Sequence, residues 1–505
     1  MQNQLKIGAI LSYVNIIATL VVGLAYTPIM LRLLGQEEFG LYSLIGSMMA
    51  YLGVLDMGLG NTIVRYVAKN RAVGNKDNEA QLNGLFLAIY SIIGLVTVII
   101  GCILYINIEN MFGETLNADQ LSRAKIMMIL LIFNFALTFP LSIFASLMQA
   151  YERFIFLRFV NILRVILNPM MALPFLYMGY SSITLVVVAT ILNISCLLSN
   201  VYYCFKYLNI RFARGKFEKA FLYEVAGYSF FIFLNAIVDK IYWGTGQFIL
   251  GIVSGTVQVA IYAIAMQFMM LYMQFSCAIS GVLLPKVTMM VAKDVTANEL
   301  TALMIKIGRL QYIVISYIFI MFLLVGENFL YLWAGKEYLS AYIMILILMF
   351  CAIPALIQNV GVAILQAKNL NKFRMLVYTG FAIGNIFVNI FLARLYGGLG
   401  CAISTSIAIF ISTGLIINWY YWKKIKLDIL LFWKNICKML PSGIILVIFA
   451  YFFEINIHLN LTWNTLILKI CFYSILYLGI IYFIGCNLYE KNLIKNSLKK
   501  LLLRR

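Results

Sequence analysis

The chain has 505 residues, of which 63% are hydrophobic and 11% charged, less than half the roughly 25% charged fraction of soluble domains. Its formal net charge is +19. Such a composition excludes a soluble globular enzyme. Where the cations fall also removes the nucleic-acid reading that so basic a chain invites.

Apolar stretches of about twenty residues recur along the whole chain, each long enough to cross a hydrocarbon core about 30 Å thick. They predict an all-α polytopic membrane protein, residues 1–505 forming one membrane domain of about fourteen transmembrane helices. The expected spans are 8–31, 40–64, 82–106, 126–149, 155–178, 182–205, 223–250, 256–284, 308–326, 339–364, 375–396, 399–421, 439–454 and 466–487. The first is too long for a secretory h-region, lacks a small-residue cleavage site and runs straight into the second, so it is expected to be retained. Loops alternate between basic and nearly charge-free. Those assigned inside hold 30 of the 38 Lys and Arg, against six outside: Arg32, Arg123, Lys125, Lys336, Arg394 and Lys469. Because Lys and Arg are retained on the cytoplasmic side, both termini are expected there, in the inner (plasma) membrane of a bacterium. The bias needs an even number of spans; fourteen fits, and twelve is the alternative. The nine Cys form no CxxC pair, and nearly all lie in apolar windows, where Cys acts as a small hydrophobe. No disulfide, metal or cofactor is expected.

An ionisable group deep in a span costs at least about 2.5–3.5 kcal/mol, so each is a candidate site residue. In chain order, Asp56 comes first, in the second-span segment "LGVLDMGLGNTIVRYVAKN" with Asn61 and Arg65. It reads either as an ion-coupling carboxylate or as one that holds helix ends together. Arg164 follows in the fifth span, with Asn161 at i−3 and Asn168 at i+4 on one helix face. A guanidinium between two carboxamides suits a pyrophosphate or other anion; snorkelling to the interface is the other reading. Residues 206–220, between the sixth and seventh spans, mix aromatics with cations and read as an interfacial helix on anionic lipid or as plain topogenic charge. Asp239 and Lys240 stand together in the seventh span, one turn after Asn235. Asp239 suits proton or cation coupling and Lys240 an anionic substrate, with neutralisation by a neighbouring helix as the alternative. Weaker polar features are Gln267, Gln274, Gln358, Asn359, Gln366, Asn385 and Asn389. The tail from Glu490 sets Ile494, Leu498, Leu501 and Leu502 opposite lysines and is expected to form an amphipathic cytoplasmic helix.

A faint repeat relates "LLGQEEFGLYSLIGSMM" to "ILGIVSGTVQVAIYAIAMQFMM", each reading Leu-Gly, polar loop, apolar-Tyr, apolar run. It predicts two six-helix bundles, 1–206 and 221–421, related by a pseudo-twofold around a central cavity, with two extra helices at 437–488 and a tail at 489–505. No catalytic constellation appears. The single His458 lies in a short outer loop, there is no Walker A run, and the outer loop 107–124 is too small for the acidic site of a membrane glycosyltransferase. The chain reads as a transporter, not an enzyme.

Several motifs resemble one family. "YTPIMLRLLGQEEFGLYSL" (26–44) and "LDMGLGNTIVRYVA" (55–68) are similar to the opening of Wzx-type polysaccharide flippases, within the multidrug/oligosaccharidyl-lipid/polysaccharide (MOP) exporter superfamily. "LMQAYERF" (147–154), "FLNAIVDKIYWGTGQFILGIVSGTVQVAIYAIA" (233–265) and "GGLGCAISTSIA" (397–408) resemble later parts of the same family. The resemblance implies flipping of undecaprenyl-diphosphate-linked oligosaccharide for O-antigen or other surface polysaccharide, by alternating access coupled to a cation gradient. Asp56 and Arg65 are carried over with the second-span motif and Asp239 with the seventh; Arg164 and Lys240 rest on intramembrane charge alone. Implied partners are the lipid-linked oligosaccharide, anionic membrane lipids and a polysaccharide polymerase or chain-length regulator, with no nucleic acid. The alternatives are a multidrug/cation antiporter of the superfamily, a lipid II flippase, and a polymerase or ligase of the same glycan.

Overall fold

In hydrocarbon an apolar segment can satisfy its backbone within itself only as a helix. The computed structural model describes residues 2–215, 219–280, 284–293, 295–368, 370–456 and 460–502; among these, helix dominates and no strand forms. Lys216, His458, Arg504 and Arg505 lie outside the described residues. Ten helices are long and apolar enough to cross a membrane, or eleven if Ala341–Ile357 and Asn359–Ala367, bent by 42°, form one span. The chain is a multi-pass membrane protein, although fourteen spans do not appear as separate elements.

Two pairs of expected spans run together. Ile10–Val73 and Asn371–Ile425 are 64 and 55 residues long, and at 1.5 Å per residue each far exceeds a 30 Å core. Both contain a residue with non-helical backbone, Gly35 (φ 75°, ψ 175°) and Gly397 (φ 57°, ψ −135°). Glycine adopts such angles at no steric cost. Both glycines fall inside the motifs quoted above.

The chain divides into two compact units, Met1–Ala263 and Ile264–Arg505. The first holds α1 (Gln2–Leu52), a 3-10 turn (Gly53–Asp56), α2 (Leu59–Val73), α3 (Lys76–Phe112), α4 (Ala118–Ala150), α5 (Phe154–Tyr177), α6 (Ser182–Tyr207), α7 (Lys219–Val253) and the start of α8 (Gly255–Ser280). Ile63, Phe86, Ile143 and Leu147 are fully buried in its core. α3 packs on α4, α4 on α6, and α1 on α5. α7, which the repeat argument places at the head of the second bundle, packs on α1, the 3-10 turn, α2 and α3. The two turns of the repeat meet within this unit. Gly40 lies so close to the Thr256 carbonyl that a Cβ would overlap it, and Gly251 faces Leu44 in the same way.

The segment after α6 corrects one expectation. Residues 208–215 are not an interfacial helix but an extended strap laid across α3. The Ala213 N–H donates to the Ala80 carbonyl at 2.9 Å. Asn83 Nδ2 donates to the Arg211 carbonyl at 3.2 Å, Ile210 is buried, and Phe212 packs on Phe144. Gly84 allows the approach, since any Cβ there would strike the Ala213 carbonyl. Packed aromatics and paired backbone override the aromatic–cation pattern that suggested a helix on lipid.

The second unit continues α8 and adds α9 (Leu284–Ala292), α10 (Ala297–Trp333), α11 (Ala341–Ile357), α12 (Asn359–Ala367), α13 (Asn371–Ile409), α14 (Ile417–Tyr420), α15 (Ile429–Cys437), α16 (Leu440–Asn456), α17 (Trp463–Ile480) and α18 (Leu488–Leu502). Arg309, at the start of the expected span 308–326, is 3% exposed. Its Nε and Nη2 donate to Glu490 of α18 at 2.6 and 2.8 Å, while Nη1 and Nη2 reach the Asn435 and Gly485 carbonyls, both at 2.7 Å. The expected tail helix therefore forms, and its first turn is locked into the unit. On the face assigned outside, Arg123 pairs with Glu38 at 2.5 Å and Asp119 at 2.7 Å, Lys125 with Glu109, and Lys469 with Glu454 at 2.6 Å. Arg123, Lys125 and Lys469 are thus neutralised in place.

Candidate functional site

Asp56, Arg65, Asn161, Arg164, Asn168, Asp239 and Lys240 all lie in the first unit. Around Asp56 the second span is broken: Met57 (φ 51°) and Gly58 (φ 64°) are successive left-handed residues between the 3-10 turn and α2. Gly58 also admits no Cβ, because Ile232 of α7 fills that space. Tyr90 Oη of α3 donates to Asp56 Oδ1 at 2.8 Å, and the Gly58 backbone also bonds the carboxylate. Asp56 thus sits at the positive N-terminal end of α2, where a carboxylate is favoured by the helix dipole. A polar seam continues from α1 and α2 to α7. Tyr51 bonds Thr245 at 2.9 Å, Thr62 bonds Ser229 at 3.1 Å, and Tyr66 donates to Glu224 at 2.7 Å. The exposed Arg65 guanidinium lies 5.7 Å from the Tyr66 ring centroid.

Asp239 and Lys240 lie on α7 between the Ser229 and Thr245 contacts. Asp239 is exposed and Lys240 half-buried. Among the described residues Lys240 makes no ion pair.

Arg164 sits on α5, exposed on the protein's flank. Its Nη1 donates to Asn193 Oδ1 of α6 at 2.9 Å. Asn193 Nδ2 in turn donates to Asn134 Oδ1 at 2.7 Å and Thr138 Oγ1 at 2.8 Å, both on α4. A polar ladder therefore runs from α5 through α6 to α4 and fixes one edge of the guanidinium. Asn161 and Asn168, on either side of Arg164 in sequence, are not its partners, and among the described residues Arg164 has no carboxylate partner. One hydrogen bond leaves most of its five N–H donors unused by the protein. Asn134, Thr138 and Asn193 were not singled out from sequence, although all three are polar residues inside apolar spans, and Asn134 and Thr138 are spaced i, i+4. Among the described residues no hydrogen bond or ion pair joins Arg164 to Lys240: α5 packs on α1, α6 and α4, and α7 on α1, the 3-10 turn, α2 and α3.

In the second unit a cavity of about 430 Å³ opens between the two arms of α13, walled by Gly380, Gly384, Val388 and Ile411. Asn385 accepts from Ser404 at 2.5 Å. Asn359 donates to Ser276 at 2.7 Å. Gln358 and Asn389 are buried with neither side-chain atom bonded among the described residues.

Long apolar helices broken by glycine turns, with single charges set between them, define a multi-pass membrane fold that solved transporter structures share. Solved structures agree. "Lipid II flippase MurJ, inward closed conformation" superposes with a TM-score of 0.74 at 15% identity, covering 96% of this chain and 99% of that one. An inward-facing multidrug resistance MATE transporter of the MOP superfamily superposes with a TM-score of 0.67 at 13% identity, over 82% of this chain and 96% of that one. In sequence, residues 5–291 match the family described as "Polysaccharide biosynthesis protein", and the chain belongs to that family. A "Putative O-antigen transporter" of Shigella flexneri is 22% identical over 401 residues, 77% of this chain and 91% of its own length.

Proposed function

We propose that this chain is a flippase that moves undecaprenyl-diphosphate-linked oligosaccharide repeat units from the cytoplasmic to the outer leaflet of a bacterial inner membrane, for O-antigen or another surface polysaccharide. The observation that carries this is Arg164: a guanidinium inside an apolar span, held on one edge by Asn193 and opposed by no described carboxylate, in a chain of a polysaccharide biosynthesis family. Retaining an arginine there at a cost of several kcal/mol calls for a compensating anion, and a diphosphate meets the guanidinium fork in bidentate geometry. Asn161 and Asn168 extend the polar face along α5. Lys240 supplies a second cation and Arg65 a third, near the basic end. Asp239 is assigned the coupling ion. Asp56, bonded by Tyr90 and the Gly58 backbone, reads better as the cap that holds the broken second span, with ion coupling as its alternative role. The mechanism is alternating access of two six-helix repeats, 1–206 and 221–421. Counting the helices broken at Gly35 and Gly397 as two spans each, with the α11–α12 pair and α7, brings the total to fourteen and both termini to the cytoplasm.

The test uses full-length protein in proteoliposomes loaded with a short-chain polyprenyl-diphosphate oligosaccharide, scored by access of an external glycosidase. Protein-dependent exposure of the sugar, lost in Arg164→Ala, is expected. Equal exposure with and without protein would overturn the reading. Flipping that ignores both proton and sodium gradients would remove Asp239 from its role without touching the substrate assignment.

A further inference from the structure

At the basic end of the first unit a second cavity, of about 520 Å³, lies between the α2–α3 turn, Tyr151 at the end of α4, and the strap. It lies apart from the charged residues within the spans. Its wall has two kinds of group. Arg71, Lys76 and Arg211 bring positive charge; Asp77, Glu79 and Asn83 bring acceptor oxygens. Arg71 is already oriented, with Nη1 donating to the Ala150 carbonyl at 2.6 Å and the guanidinium 3.9 Å from the Tyr151 ring centroid. The Tyr151 hydroxyl donates to Glu79; burial, then that bond, push the phenol up from its ordinary value, so it remains a donor. Asn83 is 1% exposed, and its Nδ2 is committed to the strap. Its Oδ1 is buried and accepts no hydrogen bond among the described residues.

We propose that this cavity binds a phosphorylated polyol, its phosphate on Arg71, Lys76 and Arg211 and its hydroxyls on the Asp77 and Glu79 carboxylates. The mixed wall selects that class. A bare phosphate would face Asp77 and Glu79 as well as the cations. A neutral sugar would leave three cations unanswered. A ligand carrying both an anion and several O–H donors satisfies both halves, and the volume fits within the range of small-molecule sites. The same chemistry is offered by a soluble sugar phosphate and by a glycerophosphate lipid headgroup at the membrane surface. Occupancy would tie the strap to α3 just before the chain enters α7. None of this depends on the transport reading.

The experiment is ligand-dependent thermal stabilisation of the full-length protein in detergent. The probes are a hexose 1-phosphate and phosphatidylglycerol in mixed micelles, with inorganic phosphate, a methyl hexoside and phosphatidylcholine as comparisons. Lys76 and Arg211 are exposed, so Lys76→Gln and Arg211→Gln should leave folding intact. Each is expected to weaken binding of the active probe at least fivefold, while Lys206→Gln, a cation outside the cavity wall, leaves it unchanged. Stabilisation by the hexose phosphate assigns the soluble source, and stabilisation by phosphatidylglycerol alone assigns the lipid; either supports the site. No stabilisation by either probe, inorganic phosphate binding as tightly as the polyol phosphate, or equal binding in all three variants would overturn it.

Discussion

Arg164→Ala separates a substrate group from a structural one. The substitution removes one hydrogen bond, to Asn193. Interhelical bonds in membranes average about 0.6 kcal/mol, so the loss in stability should be of that order. In transport the same change removes a charge-assisted bond to the substrate, worth about 1.5–3 kcal/mol. At tenfold per 1.4 kcal/mol, this is roughly 10- to 150-fold at subsaturating substrate. Asn193→Ala has the opposite profile. It deletes three interhelical bonds, so about 2 kcal/mol of stability is lost, while the guanidinium remains but is no longer held. Arg164→Lys keeps the charge without the fork and should fall between wild type and Arg164→Ala in transport. The assays are surface glycan at native expression and thermal unfolding in detergent. Normal surface glycan in Arg164→Ala would refute the substrate role. So would a loss of glycan accompanied by a drop in thermal stability as large as that of Asn193→Ala, because Arg164 would then be part of the scaffold.

Three further outcomes follow from the packing. Glu490→Ala leaves a buried arginine without its counter-ion and should cost about 3–5 kcal/mol, whereas Glu490→Leu with Arg309→Met should recover most of that; a loss under about 1 kcal/mol in detergent unfolding would show that the pair is not buried in solution. Gly84→Val should lift the strap off the Ala213 contact, and limited trypsin digestion should then cut after Arg211 and Arg214 several times faster, so an unchanged cleavage rate counts against the strap. Gly58→Ala meets both a left-handed backbone and Ile232, and should cost about 2 kcal/mol, of which roughly 1–2 is backbone alone. Gly46→Ala, in open space within α1, should be neutral or stabilising by up to about 1 kcal/mol; equal effects at both positions would argue against the break in the second span.

The sequence by itself determined the class of protein. Apolar length allows only membrane helices, because that effect depends on transfer energies that do not need a partner residue. Two of the breaks were legible too, because Gly35 and Gly397 fall between expected spans and within the motifs that carried the family resemblance; the break at Met57 and Gly58, inside the expected span 40–64, was not. Tertiary structure decided which polar groups meet. Arg164 bonds Asn193 rather than Asn161 or Asn168, Asp56 accepts from Tyr90, and Arg309 reaches Glu490 across 181 positions of sequence. A membrane helix is apolar on nearly every side, so its sequence does not say which face turns toward a neighbour. The rotation and register of each helix follow from packing, and with them the choice between a residue that anchors the scaffold and one left facing a ligand. The strap shows the same limit outside the membrane: aromatics and cations suggested a surface helix on lipid or plain topogenic charge, and a glycine at position 84, with one backbone and one side-chain hydrogen bond to α3, made it a wall of a cavity instead.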